Sequence, residues 1–165
     1  MVKADRGRTD RPAPIQPVGF FSGVQIRPVI LGVVVDYIST YAIMQVYLLL
    51  FVTRHLPSDG ELPPDGAPLP ATGTGLLIAA FIIGSLGTLL GGFVAGRKAG
   101  VLEAKHGAFV GLGSLIVSFV EMVVMNEPQS GPEWFRMISV LAIIPAGALG
   151  GYIAGRVKDV MRPSP

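Results

Sequence analysis

Four stretches of this chain are almost free of charge over lengths that match the hydrocarbon of a lipid bilayer. They run from about Val29 to Val52, Thr74 to Ala95, Ala108 to Met125 and Ile138 to Ala154. A helix needs about 20 apolar residues to cross roughly 30 Å of hydrocarbon, with a range of about 17–25. All four stretches fit, the fourth barely. They predict an all-α, polytopic membrane protein with four transmembrane helices. Composition agrees, since 15% of the 165 residues are charged, whereas an average soluble domain carries roughly 25%. The chain has no Cys, which removes disulfides, thiolate metal sites and cysteine nucleophiles together.

The basic residues set the expected direction. Of the 13 Lys and Arg, five precede the first span (Lys3, Arg6, Arg8, Arg11, Arg27), three lie between the second and third (Arg97, Lys98, Lys105) and three follow the fourth (Arg156, Lys158, Arg162). Only Arg54 and Arg136 fall in the other two loops. Cytoplasmic loops carry the excess of Lys and Arg. Both termini and the middle loop are therefore expected in the cytoplasm, with the protein in the cell's inner (plasma) membrane. The net charge of +2 then describes a basic edge beside anionic lipid and needs no nucleic-acid partner. Residues 1–27 read as a basic cytoplasmic tail containing Pro12, Pro14 and Pro17, and residues 28–165 as the four-helix domain. A polar stretch of that length before a full span does not suit a cleaved signal peptide. Phe20, Phe21, Val24 and Ile26 are expected at the interface before Pro28 opens the first helix. The first outer loop, Thr53 to Gly73, is rich in Pro and should be irregular. The second, Asn126 to Phe135, ends in Trp134 and Phe135, aromatics suited to a membrane–water boundary.

Two of the spans end alike. Span two closes with Gly91-Gly92-Phe93-Val94-Ala95-Gly96-Arg97 and span four with Gly150-Gly151-Tyr152-Ile153-Ala154-Gly155-Arg156, five of seven positions being identical. This predicts an internal repeat, two related helical hairpins in one orientation, N-in and C-in. Small residues recur four apart: Gly87, Gly91 and Ala95, then Gly92 and Gly96, Gly107 and Gly111, and Gly147, Gly151 and Gly155. Such spacing makes a groove along one helix face. In lipid, helices associate through close van der Waals contact, which a groove permits. These glycines are read as helix-packing positions, with a Gly-lined substrate path as the alternative. The spacing alone leaves open whether the contact lies within one chain or between chains. Arg97, Lys98 and Arg156 are expected to anchor the cytoplasmic edge, facing negative helix ends and lipid phosphates.

The stretch Gly84 to Leu115, with Gly91-Gly92-Phe93-Val94-Ala95-Gly96-Arg97-Lys98 followed by His106-Gly107-Ala108, resembles a family of small four-helix bacterial integral-membrane proteins with GGxxAGR helix endings. In that family span three opens on a His-Gly-Ala start and span four is Gly-rich. The resemblance implies the fold and topology and no activity. The long N-terminal tail and the Pro-rich outer loop depart from the family's pattern.

Asp36 is the residue that hydropathy does not explain. It lies about eight residues past Pro28, roughly 12 Å into span one. A charged Asp at such depth costs at least about 2.5–3.5 kcal/mol, and no Lys or Arg lies inside a span to pair with it. It is therefore protonated, hydrogen-bonded to hydroxyls, or placed against a cation or water. Counting inward from the helix ends puts Thr88, Ser114 and Gly147 in its layer, and Ser39 and Thr40 follow on its own helix face. Glu121 shares a stripe with Ser114 and Ser118. Asp36, Ser39, Thr40, Thr88, Ser114, Ser118 and Glu121 thus form a candidate intramembrane proton or cation site, with a relay from Glu121 past Ser118 and Ser114 to Asp36 as its sharpest form. His55 and His106 have no partners at metal-ligand spacing and read as polar edge. Tyr37, Tyr41 and Met44 read as a packing stripe, and Pro145 as a kink in span four.

No catalytic constellation, metal cluster or cofactor motif emerges, so the expectation is a non-enzymatic membrane protein without cofactors. Its leading role is a structural or accessory subunit, or a homo-oligomer packed through glycine grooves. The alternative is a small proton- or cation-linked transporter or channel using Asp36. Expected partners are membrane lipids and either further copies of the chain or a larger membrane complex.

Overall fold

The computed structural model of the chain describes residues 19–55, 74–125 and 132–161. Tail residues 1–18, residues 56–73 of the Pro-rich loop, residues 126–131 and Arg162 lie outside them. Four helices carry the described chain: α1 (Ile26–His55), α2 (Thr74–Ala99), α3 (Glu103–Met125) and α4 (Glu133–Met161). No strand occurs among the described residues. All four are long and apolar enough to cross a membrane, and the chain is a multi-pass membrane protein by that measure. Helix is the form that satisfies every backbone N–H and C=O within one segment, as hydrocarbon demands.

Each helix outruns its apolar stretch. α1 starts at Ile26 rather than Val29, α2 ends at Ala99 rather than Ala95, and α3 starts at Glu103 rather than Ala108. α4 begins at Glu133 rather than Ile138, so Trp134 and Phe135 sit in its first turn and not in a loop. Hydropathy marks where lipid ends, whereas the hydrogen-bond ladder runs on into polar residues until the backbone is turned aside. After α2 that happens at Gly100, which takes φ +68°. Its N–H closes on the Gly96 carbonyl at 3.0 Å, the left-handed cap for which glycine is suited. Pro145 lies inside α4, which continues through it.

The helices run up and down. α2 packs antiparallel to α1, α3 antiparallel to α2, and α4 antiparallel to α3, with α2 and α3 on the short diagonal of the bundle. The starts of α1 and α3 and the ends of α2 and α4 therefore share one end, which also holds Arg27, Arg97, Lys98, Lys105, Arg156 and Lys158. We call it the basic end. Large apolar side chains such as Ile38, Val46, Phe119, Val123 and Leu141 point outward and are exposed, as residues facing lipid tails should be.

The buried core is built from small residues. On α2 it comprises Ile83, Gly87, Thr88, Gly91, Gly92, Ala95 and Gly96, and on α4 Gly147, Gly150, Gly151 and Ala154. Backbone meets backbone here. A Cβ on Gly92 would strike the Gly147 carbonyl, one on Gly147 the Gly107 carbonyl, and one on Gly111 the Ile143 carbonyl at 2.5 Å. Neighbouring residues on a helix are about 100° apart, so a Gly-Gly pair bares two faces at once. Gly91 faces Gly32 of α1 while Gly92 faces α4, and Gly150 faces Leu89 of α2 while Gly151 faces Glu103 of α3. The repeated Gly-Gly thus lets α2 and α4 each seat two neighbours, and these contacts lie within one chain. Gly155 differs, because the nearest atom to its Cβ position is 3.7 Å away.

The basic end is tied together by polar contacts. Lys158 Nζ donates to the Gly100 carbonyl and pairs with Glu103 Oε1 at 3.0 Å, pinning the α2–α3 turn to α4. Lys105 Nζ donates to the Ser22 carbonyl at 2.8 Å, and Phe20 and Phe21 rest against Phe109 with ring centroids 5.2 and 5.5 Å away. His106 is not polar edge but completely buried. Its Nε2 accepts the Gln25 N–H at 2.9 Å and its Nδ1 contacts the Leu102 carbonyl at 3.1 Å, which fixes Nδ1 as the protonated nitrogen. One imidazole thereby fastens the segment before α1 to α3. Replacing His106 by Leu leaves the Gln25 N–H and the Leu102 carbonyl with a lost partner. A cost of about 1–3 kcal/mol is expected, together with faster amide hydrogen exchange at Gln25 than in the wild type. Unchanged exchange there would refute the fastening role.

Candidate functional site

The tight glycine contact ends at one layer, and above it the four helices separate around a cavity of about 530 Å³. Asp36 forms its floor. On α1 the buried positions are Pro28, Gly32 and Asp36, one residue per turn, so the stripe that seats α1 on the bundle carries the carboxyl inward. Asp36 is only 4% exposed, and Thr88 and Ser114 are 3% and 2% exposed. Thr40 Oγ1 donates to Oδ1 at 3.2 Å, while Thr88 Oγ1 and Ser114 Oγ donate to Oδ2 at 3.1 and 2.5 Å. Three helices thus supply the hydroxyl ring, and among the described residues no Lys, Arg or His lines the cavity.

Gly87 makes this arrangement possible. Its absent side chain leaves the space occupied by Thr40 Oγ1 and by Asp36 Oδ1, the latter 2.9 Å from where a Cβ would stand. A residue read from its spacing as a helix-packing position therefore also shapes the site. Gly91 does the same for the Cβ of Asp36.

Thr88 has a second acceptor within reach, the Gly84 carbonyl at 3.1 Å. Its single hydroxyl proton can go to Asp36 or to that carbonyl, not to both. When Asp36 is a carboxylate, all three hydroxyls can donate to it. When Asp36 carries a proton, Thr88 can turn its own proton to Gly84 and accept. The ring satisfies both protonation states without leaving a buried polar atom unpaired.

A second polar group lies further from the basic end. Tyr37 Oη lies 3.2 Å from Ser118 Oγ and donates to Glu121 Oε2 at 3.5 Å. Glu121 and Ser118 are exposed. No hydrogen bond joins Ser118 to Ser114 among the described residues, so the expected stripe relay is interrupted, and the two groups face each other across the cavity. Ser39 falls outside the carboxyl ring as well. Its hydroxyl donates to the backbone carbonyl of Asp36 at 3.1 Å, the local bond available to a helical Ser. Gly147, counted into the Asp36 layer, serves instead in the glycine contact below it.

The stripe of Tyr37, Tyr41 and Met44 lines the cavity rather than a helix contact, together with Phe81 and Phe135. An aromatic stripe looks the same in sequence whether it meets a neighbour or a void, so periodicity could not separate the two. Gly32, which the four-residue spacing did not single out, is packed so closely that a Cβ there would stand 2.7 Å from the Gly91 carbonyl and 2.9 Å from Ala95 Cβ. Its small partner lies across the contact and not along its own helix. At the basic end Arg97 and Lys98 are exposed, as anchors at a lipid surface would be. Arg156 Nε donates to Tyr152 Oη at 2.7 Å, with its guanidinium 5.3 Å from that ring's centroid. No group of three or more metal-ligating side chains occurs among the described residues.

No family model, curated protein or solved structure matches the chain. The chemistry of the site has to be argued from its own residues.

Proposed function

We propose that the protein is a small, non-enzymatic proton- or cation-linked carrier of the inner (plasma) membrane in which Asp36 takes up and releases the coupling ion. The observation that supports it is the carboxyl at the floor of an intramembrane cavity, held by hydroxyls that suit both of its protonation states and opposed by no basic side chain among the described residues. Intramembrane carboxyls mark proton and ion pathways because their burial is costly and rarely serves stability. Structural glue is the weaker account, since interhelical hydrogen bonds in membranes contribute only about 0.6 kcal/mol on average.

The excess of Lys and Arg at the basic end supports placing that end and both termini in the cytoplasm. The cavity then faces the outside, and the glycine contact closes the path to the cytoplasm. The resemblance to small four-helix bacterial membrane proteins fits this placement. A role as accessory subunit or homo-oligomer rests on the glycine grooves, the short loops and the lack of a catalytic constellation. Those glycines meet neighbours inside the chain, so they lend that role no support.

The test is direct. Protein reconstituted into vesicles with a pH-sensitive dye inside should dissipate an imposed proton gradient faster than protein-free vesicles. Equal rates, with correctly folded protein in the bilayer, would overturn the carrier reading for protons. The same vesicles with a sodium or potassium gradient then decide for or against an inorganic cation.

A further inference from the structure

The cavity carries more information than a proton site requires, and resting on the carrier reading above, we infer that its substrate is a lipophilic amine in its protonated form, bound with its N–H at Asp36 and its apolar body against the aromatic wall. Three features select this class. The first is charge. The cavity holds Asp36 at its floor and Glu121 near its mouth, and among the described residues no basic side chain lines it. Along α3, Glu121 lies seven residues beyond Ser114, which touches Asp36, or about 10 Å at 1.5 Å per residue. The two carboxyls repel an anion, and a neutral molecule gains no charge attraction from either of them.

The second feature is the wall. Tyr37, Tyr41, Phe81 and Phe135 with Met44 surround the space above Asp36. The rings and the thioether of that wall give a bare inorganic ion little, although Ser85, Ser118 and Ser139 add hydroxyls elsewhere in the lining. The wall offers an organic cation both apolar contact and ring faces, which attract positive charge within about 6 Å of a ring centroid. A volume near 530 Å³ lies in the range of about 300–1,000 Å³ typical of sites for organic ligands. A cavity for a lone proton or metal ion does not need it.

The third feature is the acceptor count. A carboxylate offers about four acceptor positions. Thr40 takes one on Oδ1, and Thr88 and Ser114 take both on Oδ2. The remaining position, on Oδ1, suits one donor. A single N–H of a protonated secondary or tertiary amine meets that need. A guanidinium, which brings five N–H donors, would find only that one open position at Asp36 and would have to pair its other donors elsewhere in the lining.

Three small probes of one shape decide the matter in lipid nanodiscs by calorimetry: protonated benzyldimethylamine, benzyltrimethylammonium and the hydrocarbon isobutylbenzene. The expected order is the protonated amine tightest, the quaternary ion weaker, and the hydrocarbon weakest. The hydrogen bond to a charged group should separate the first from the last by about tenfold or more. Asp36→Asn should remove the preference for the amine and leave hydrocarbon binding as it was, whereas Glu121→Gln should weaken both cations by a few-fold. Equal binding of all three probes to the wild type overturns the assignment, since the cavity is then an apolar slot for a lipid tail. Because that comparison uses the wild type, it stands even where a variant fails to fold. Tight binding of the quaternary ion over the amine would also overturn it, by removing the need for an N–H. Proton movement is measured separately. Asp36-dependent proton flux with no preference among the probes sinks the amine and keeps the proton site. Amine preference without Asp36-dependent proton flux sinks the proton coupling and keeps the amine site.

Discussion

Asp36→Asn should bring proton movement through reconstituted vesicles down to the level of protein-free vesicles while leaving the bundle folded. The amide matches the carboxyl in shape and cannot take up a proton. Its oxygen can accept from Thr40 as Oδ1 does now. Its nitrogen replaces Oδ2, and there the two facing hydroxyls must accept instead of donate. Thr88 can do so because its proton has the Gly84 carbonyl as an alternative acceptor at 3.1 Å. The stability change should therefore stay within about 1 kcal/mol, read as the midpoint of thermal unfolding in detergent. Wild-type flux from a folded Asp36→Asn protein would end the proton-carrier reading. Loss of flux with loss of fold would be uninformative alone, so the unfolding midpoint is measured on the same preparation.

The second large effect belongs to the glycine contact. Gly147→Ala should destabilise the protein by about 3 kcal/mol or more, at the upper end of what overpacking costs. The added methyl would fall on the Gly107 carbonyl, with the amide nitrogen of Gly111 3.0 Å away. Both are backbone atoms, which cannot rotate aside as a side chain can. Gly155→Ala is the matched control in the same helix and the same four-residue series. Its methyl would find nothing closer than 3.7 Å. Alanine is also the better helix former by up to about 1 kcal/mol, so that variant should be neutral or slightly more stable. Unfolding in mixed micelles with rising dodecyl sulfate measures both. Equal stability of Gly147→Ala and Gly155→Ala would mean that the contact is looser than backbone touching backbone.

These two effects also show what the residues disclosed in advance and what they withheld. The four helices were legible because lipid imposes one simple pattern, a long run without charge. The layer of Asp36, Thr88 and Ser114 was legible because helices crossing a slab keep nearly the same rise, so residues at equal depth can be counted. Thr40 followed from helical spacing. Counting depth does not give rotation about the helix axis or the local choices of a hydroxyl. Hence helical spacing puts Ser39 in the ring, though it bonds to backbone, and depth puts Gly147 in the layer, though it belongs below. His106 was misjudged for another reason. Its burial comes from residues 19–25 folding over the start of α3, and no periodicity within a helix records what a neighbouring segment covers. The cavity was invisible in sequence because a void is defined by four helices failing to meet, and each lining residue is ordinary on its own.

The uneven packing of the bundle has a mechanical consequence. Near the basic end the helices touch through backbone, and beyond Asp36 they stand apart. A contact made largely of backbone has few rotamers to absorb strain, so a tilt of one helix against another would turn about that seat. From Gly147 to Phe135 the arm of α4 is about 18 Å long at 1.5 Å per residue. A tilt of about 10° on that arm moves its far end by about 3 Å, by the geometry of a straight rod. A displacement too small to break the glycine seat would thus be multiplied at the mouth of the cavity and would be smallest at Asp36, beside the seat.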